Sequence, residues 1–199
     1  MSAMLLFRPF ERFWHWTQAV LILGLLISGL EVHGSYHWLG FEAAVTVHVA
    51  LAWGLIILWV FTIFWHIVTG EWRQYVPNRQ GVVAVARYYG YGMFTGEMKP
   101  WVITPRAKHN PLQRLAYFGF KAIIAPALWV SGLLYFFYPQ WQGTWLGERL
   151  PLEAVAYLHT AAAFAILIFL IVHVYLAAFS GSPWYSHLQA MITGYERGE

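Results

Sequence analysis

The chain alternates between long runs without a single charge and short segments that collect nearly all of them. No Asp, Glu, Lys or Arg occurs between Arg12 and Glu31, between Glu42 and Glu71, between Lys121 and Glu148, or between Glu153 and Glu196. Each run holds the roughly 20 apolar residues that an α-helix needs to cross about 30 Å of hydrocarbon at ~1.5 Å per residue. Only helices and closed barrels satisfy every backbone group in lipid, and no ten-residue alternation of apolar and polar positions suggests a barrel. The pattern predicts an all-α integral membrane four-helix bundle with spans at about 13–31, 43–69, 112–138 and 154–180. Residues 1–199 read as a single membrane domain with a long connection at 70–111.

Composition agrees. The 199 residues are 59% hydrophobic, 19% aromatic and only 11% charged, against roughly 25% charged in a soluble globular domain. The basic residues set the orientation. Arg8 and Arg12 precede the first span, and Arg73, Arg79, Arg87, Lys99, Arg106, Lys108 and Arg114 fill the segment between the second and third. The 31–42 loop has no Lys or Arg, the 139–153 loop has only Arg149, and Arg197 lies in the tail. By the positive-inside rule both termini are cytoplasmic, which predicts a multi-pass protein of the bacterial cytoplasmic (inner) membrane. The pI near 9.2 then reports topology, and no nucleic-acid partner is implied. The first span reads as retained rather than cleaved, because it is long, lacks an A-x-A site and carries His15. The absence of Cys excludes disulfides, iron–sulfur clusters, thiolate zinc sites and covalently attached haem.

The two short connections and the long one divide the spans into two hairpins with a weak internal repeat. Ser28-Gly29-Leu30 ends the first span and Ser131-Gly132-Leu133 the third, each 16 or 17 residues after an arginine, Arg12 or Arg114. Ala44-Val45 leads to His48 and Ala154-Val155 to His159. Such a pattern suits a parallel repeat about an axis along the membrane normal. In the long connection, Gly81–Phe94 reads as a short interfacial helix, and Pro77, Pro100 and Pro105 break the remainder. Pro126 removes a backbone bond inside the third span and predicts a kink. Trp14, Trp16, Trp38, Trp65, Trp72, Trp141, Trp145, Trp184 and Tyr185 fall where an interfacial aromatic belt belongs.

Candidate chemistry lies in the histidines. His33, His37, His109 and His187 read as solvated loop or tail residues, whereas His15, His48, His66, His159 and His173 lie within or at the ends of spans, where an ionisable group is costly and marks a site. His159 and His173 are separated by about 21 Å of rise and about 40° of rotation, so one face presents a histidine near each membrane surface. No single ion reaches both. His48 and His159 share the outer depth, and His15 and His173 the inner one, with His66 lower still. Zinc needs three or four converging ligands; two imidazoles per level suit a planar macrocycle with an iron between them. An iron ligated on both axial sides exchanges electrons and has no open position for oxygen. Arg8, Arg12, Arg73 and Arg114 are candidates to neutralise propionates of the inner haem, or simply topology signals.

Arg12-Phe13-Trp14-His15-Trp16 with Ser28-Gly29-Leu30 resembles the first span of the di-haem cytochrome b subunits of nickel–iron hydrogenases, formate dehydrogenases and thiosulfate reductases. Gly70-Glu71-Trp72-Arg73-Gln74-Tyr75, Asn110-Pro111-Leu112-Gln113-Arg114, and His159 with His173 extend the resemblance over nearly the whole chain. The resemblance implies two haem b groups, the outer on His48 and His159 and the inner on His15 and His173, with His66 as an alternative inner ligand or a quinone-site residue. It also implies a quinone (menaquinone or ubiquinone) beside the inner haem, with Asn110, Gln113 and Arg114 as candidate contacts. Asn110 has a second reading as the cap of the third span, with Pro111 at the first helical position. The expected function is transmembrane electron transfer between the quinone pool and an outer-side redox partner. That partner is a hydrogenase, dehydrogenase, reductase or multihaem cytochrome, which carries the substrate chemistry, and membrane lipid surrounds the spans. The alternatives are a stand-alone quinone-linked cytochrome b oxidoreductase and a haem-free transporter or scaffold.

Overall fold

A computed structural model describes residues 3–104, 107–181 and 183–197. The predicted break at Pro105 and the basic residue Arg106 lie outside the described residues. Strand β1 (Ala3–Leu5) leads into helix α1 (Pro9–Val32), followed by α2 (Phe41–Thr69) and a 3-10 turn at Glu71–Tyr75. The long connection carries α3 (Val82–Arg87), a π turn at Tyr88–Gly92 and the short α4 (Met93–Thr95). The third span comprises α5 (Pro111–Gly119), a π turn at Phe120–Ile124 and α6 (Ala125–Phe136). After α7 (Tyr138–Trp141) and α8 (Trp145–Arg149) come α9 (Leu152–Phe179), α10 (Ser186–Thr193) and strand β2 (Tyr195–Arg197).

Among the described residues four helices are long and apolar enough to cross a membrane: Pro9–Val32, Phe41–Thr69, Pro111–Phe136 and Leu152–Phe179. Their apolar residues are not confined to one stripe, which marks helices solvated by lipid rather than by water. Phe61, Phe64 and Ile168 are each more than 60% exposed. The structure is thus an all-α membrane fold apart from one small terminal sheet. Pro126 falls in the first turn of α6, and the π turn just before it lies where proline removes a backbone bond.

The chain forms two compact units, one of Met1–Gln74, Thr104–Lys108 and Gly181–Glu199, the other of Tyr75–Ile103 and His109–Ser180. In the first, α1 packs on α2 through small residues. A Cβ on Gly24 would stand 2.8 Å from Leu51 Cδ1, and one on Gly54 3.4 Å from Leu21 Cδ2. Close approach of this kind gives helix association in lipid its packing energy. Trp59 Nε1 donates to Gln18 Oε1 across the pair at 2.7 Å. The connection between these helices is held by Glu31, whose Oε1 accepts from the backbone N–H groups of Trp38, Leu39 and Gly40 at 2.6–2.9 Å.

The two ends of the chain meet in the first unit. β1 and β2 pair antiparallel with Met4 opposite Glu196, and Leu6 N donates to Gly194 O at 2.8 Å. Arg12 Nη1 and Trp16 Nε1 donate to the carbonyls of Ile192 and Met191 at 2.6 and 3.1 Å. Both termini therefore lie at the same end of α1.

Beside them Lys108 donates to Glu11 Oε1 at 2.6 Å and to Glu71 Oε2 at 3.2 Å, with all three side chains at most 13% exposed. In the second unit α6 packs on α9. Trp141, assigned from sequence to the aromatic belt, is buried instead and donates to the Leu134 carbonyl at 2.8 Å. Its indole N–H caps a carbonyl near the end of α6, a need that belt position does not reveal.

Candidate functional site

The two hairpins repeat one arrangement. In the first, Ser28 on α1 places its Oγ 3.0 Å from Nδ1 of His48 on α2. In the second, Ser131 on α6 places its Oγ 2.9 Å from Nδ1 of His159 on α9. Glycine follows each serine and lets the imidazole lie close to the helix. A Cβ on Gly29 would stand 3.2 Å from His48 Cε1, and one on Gly132 3.4 Å from His159 Cε1. The Ser-Gly-Leu repeat read from the sequence is therefore a structural repeat with a histidine partner in each copy. The Ala-Val matches are out of step by one residue. The buried positions one turn before the histidines are Ala44 and Val155, 0% and 2% exposed.

His173 lies one face-length along α9 from His159, half-buried, with its ring stacked on Phe169 at 5.9 Å. Phe169 meets Tyr117 at 6.1 Å, Tyr117 meets His109 at 5.0 Å, and His109 meets Tyr75 at 5.2 Å. His109 is thus packed among aromatic rings and is not the solvated loop residue expected from its position. Its partners come from separate elements, which spacing alone does not bring together. Lys121 Nζ sits 3.2 Å from the centre of the Tyr75 ring, a cation–π contact of the kind that strengthens away from water.

Asn110 caps α5. Its Oδ1 accepts from Gln113 N at 2.8 Å, and Gln113 Oε1 accepts from Asn110 N at 3.0 Å, a reciprocal capping box. Asn110 Nδ2 donates to Tyr89 OH at 2.9 Å. Burial pushes the Tyr89 phenol above the ordinary tyrosine range, while its bonds to Asn110 and Ser180 pull the other way. Arg114 Nε donates to the His109 carbonyl at 3.2 Å. Of the other arginines considered for propionates, Arg8 lies 3.6 Å from Glu71, Arg12 holds the Ile192 carbonyl and Arg73 stacks over Trp72 at 5.5 Å.

In the first unit His15 stands edge-on to Trp16 at 5.1 Å and is half-buried. His66 is only 6% exposed, sits 5.8 Å from the Trp14 ring, and holds the Thr62 carbonyl through Nδ1 at 2.7 Å. Among the described residues no three His, Asp or Glu side chains gather where they would hold a metal ion. The serine–histidine and lysine–carboxylate contacts were not legible in the sequence. The serines were visible as a repeat, but their contact partner was not, and Lys108 carried no spacing signal.

The four apolar spans carry His15, His48, His66, His159 and His173. The prokaryotic cytochrome b561 family matches residues 6–194, and the chain belongs to that family. It is accordingly a multi-pass bacterial membrane cytochrome that binds haem b and transfers electrons. It is 34% identical over 194 residues to a protein of Escherichia coli (strain K12) named "Putative cytochrome YdhU", covering 94% of this chain and 72% of that protein. No solved structure matches the chain significantly.

The residues fit a non-covalent haem. Iron needs imidazoles presented through one ring nitrogen while the other is held. His48 and His159 are held at Nδ1, and with His15 and His173 they remain half-buried rather than sealed into the protein interior.

Proposed function

We propose that this protein is a di-haem cytochrome b membrane subunit, ligating one haem through His48 and His159 and a second through His15 and His173. It exchanges electrons between a quinone pool at the cytoplasmic side and a redox partner docked on the periplasmic side of the bacterial inner membrane. The observation that carries this reading is the duplicated serine–histidine arrangement, one copy per hairpin. Each copy supplies one imidazole, and a six-coordinate iron takes two.

When bound, each haem would supply a one-electron centre, held by the paired imidazoles. The ~21 Å rise between His159 and His173 makes transfer between their levels electrogenic, at ~2.3 kcal/mol per charge per 100 mV for complete crossing. Burial favours His15 over His66 as the inner ligand, because a ligand must present its ring to a haem and His66 is enclosed. Positive-inside counting puts both termini in the cytoplasm, and the shared terminal sheet supports their lying on one side.

The quinone is proposed to bind beside His173, at the edge of the Asn110–Arg114 turn. Asn110 and Gln113 bond each other in the cap through Asn110 Oδ1 and Gln113 Oε1, so the proposed donors to a quinone carbonyl are the Gln113 side-chain amide and the Arg114 guanidinium N–H groups other than Nε.

Dithionite-reduced protein should show b-type bands and a pyridine assay about two haems per chain. His159→Ala should lose one haem and spare the other, and retention of both would remove the proposed outer pair. His15→Ala should disturb the low-spin spectrum and His66→Ala should not; the reverse result assigns the inner iron to His66. A stoichiometric companion on purification would separate a subunit from a stand-alone oxidoreductase.

A further inference from the structure

We propose that Ser28 and Ser131 are positioning residues that fix the tautomers of His48 and His159 and thereby lower the reduction potential of the haem these histidines share. The inference rests on the ligand pairing proposed above and adds two residues to it.

The argument is a count of hydrogens. A serine hydroxyl has one hydrogen to donate and two lone pairs to accept with. Ser28 Oγ lies 2.7 Å from the Gly24 carbonyl, and Ser131 Oγ lies 2.6 Å from the Ala127 carbonyl, each four residues back on its own helix. A second carbonyl, Leu25 or Leu128, stands at 3.3 Å in each case. Carbonyl oxygens only accept, so the single hydroxyl hydrogen is committed to the helix. Toward the imidazole each serine therefore presents a lone pair, and Nδ1 must carry the hydrogen.

With the hydrogen on Nδ1, the ligating lone pair sits on Nε2. The opposite tautomer would set two lone pairs against each other at 2.9–3.0 Å. The carbonyl–hydroxyl–imidazole relay also polarises in one direction: donating to the carbonyl makes the hydroxyl oxygen a better acceptor. Accepting from Nδ1–H raises electron density at Nε2, and a more basic ligand favours ferric over ferrous iron. The glycines after the serines permit the contact, since a side chain there would meet the imidazole. The same device occurs on two helices that belong to different hairpins, and it serves the two ligands assigned to one iron.

The test is a potentiometric titration of the membrane-embedded holoprotein carrying Ser28→Ala, Ser131→Ala or both, with haem content measured alongside. Each single variant should keep two haems and move one of the two b-type components to more positive potential. It should be the same component in both, and the double variant should move it further. The other component stays in place. Unmoved potentials with two haems present would overturn the proposal, as would serines that act on different components. Should alanine cost the haem, the nearly isosteric Ser131→Cys, a weaker acceptor, should retain it with a smaller positive shift; an unshifted potential there also overturns the proposal. Failure of the ligand pairing itself would appear separately, as two intact haems in His159→Ala.

Discussion

Lys108→Met tests whether the buried charge cluster in the first unit holds that unit together. The ammonium bridges Glu11 at 2.6 Å and Glu71 at 3.2 Å, and it is 5% exposed beside carboxylates that are 9% and 13% exposed. Removing one partner of a buried ion pair costs about 3–5 kcal/mol, because the charge left behind has lost water and gained nothing. Here the loss is partly compensated. Glu11 keeps the backbone N–H of Arg8 at 2.7 Å, and Glu71 keeps the Arg8 guanidinium at 3.6 Å. That guanidinium is 56% exposed, so its attraction is screened by solvent and worth at most about 1 kcal/mol. The expectation is therefore the lower end of the range, about 3 kcal/mol, or roughly 6–12 °C in Tm by the scaling for soluble chains of this length. Thermal unfolding in detergent, followed by size-exclusion of the surviving protein, measures it. Adding Glu11→Gln to Lys108→Met should recover part of the loss, since a neutral amide tolerates burial better than an unpaired carboxylate. A single variant within 1 °C of the parent would refute the reasoning and reduce the cluster to a solvated ion pair.

Two further perturbations read the packing directly. Gly29→Ala should disturb haem binding more than Gly132→Ala, because the new Cβ meets the histidine Cε1 at 3.2 Å in one case and 3.4 Å in the other; the spectrum and haem content of purified protein measure the order, and valine at either position should displace the ring and lose a haem. Gly194→Ala should loosen the terminal sheet, since Gly194 has φ 89° and a Cβ there would stand 2.7 Å from the Phe7 carbonyl. Left-handed backbone costs a non-glycine residue about 1–2 kcal/mol, and limited proteolysis of the termini should show faster cleavage than in the parent.

The charge-free runs located the four spans by themselves, because an unpaired charge in hydrocarbon is so unfavourable that its absence alone is informative. Histidine spacing likewise placed His159 and His173 on one helix face, since residues 14 apart on any α-helix fall close to one azimuth. The repeat was legible as Ser-Gly-Leu in two places, yet its purpose was not. That Ser28 reaches His48 and Ser131 reaches His159 depends on how one helix is set against its neighbour.

The same limit explains the other differences. The cap at Asn110 was legible in the sequence, but the bond from its amide to Tyr89 was not. His109 looked solvated because loop position gives no account of rings arriving from Tyr75 and Tyr117. Lys108 lay among topology charges, and its two carboxylates come from residues 97 and 37 positions away. Local sequence determined which segments enter the membrane and which side chains are chemically able to bind iron, since both follow from transfer energies and helical periodicity. The tertiary structure decided which polar atoms face one another, because a hydrogen bond is fixed by a few tenths of an ångström that no periodicity encodes.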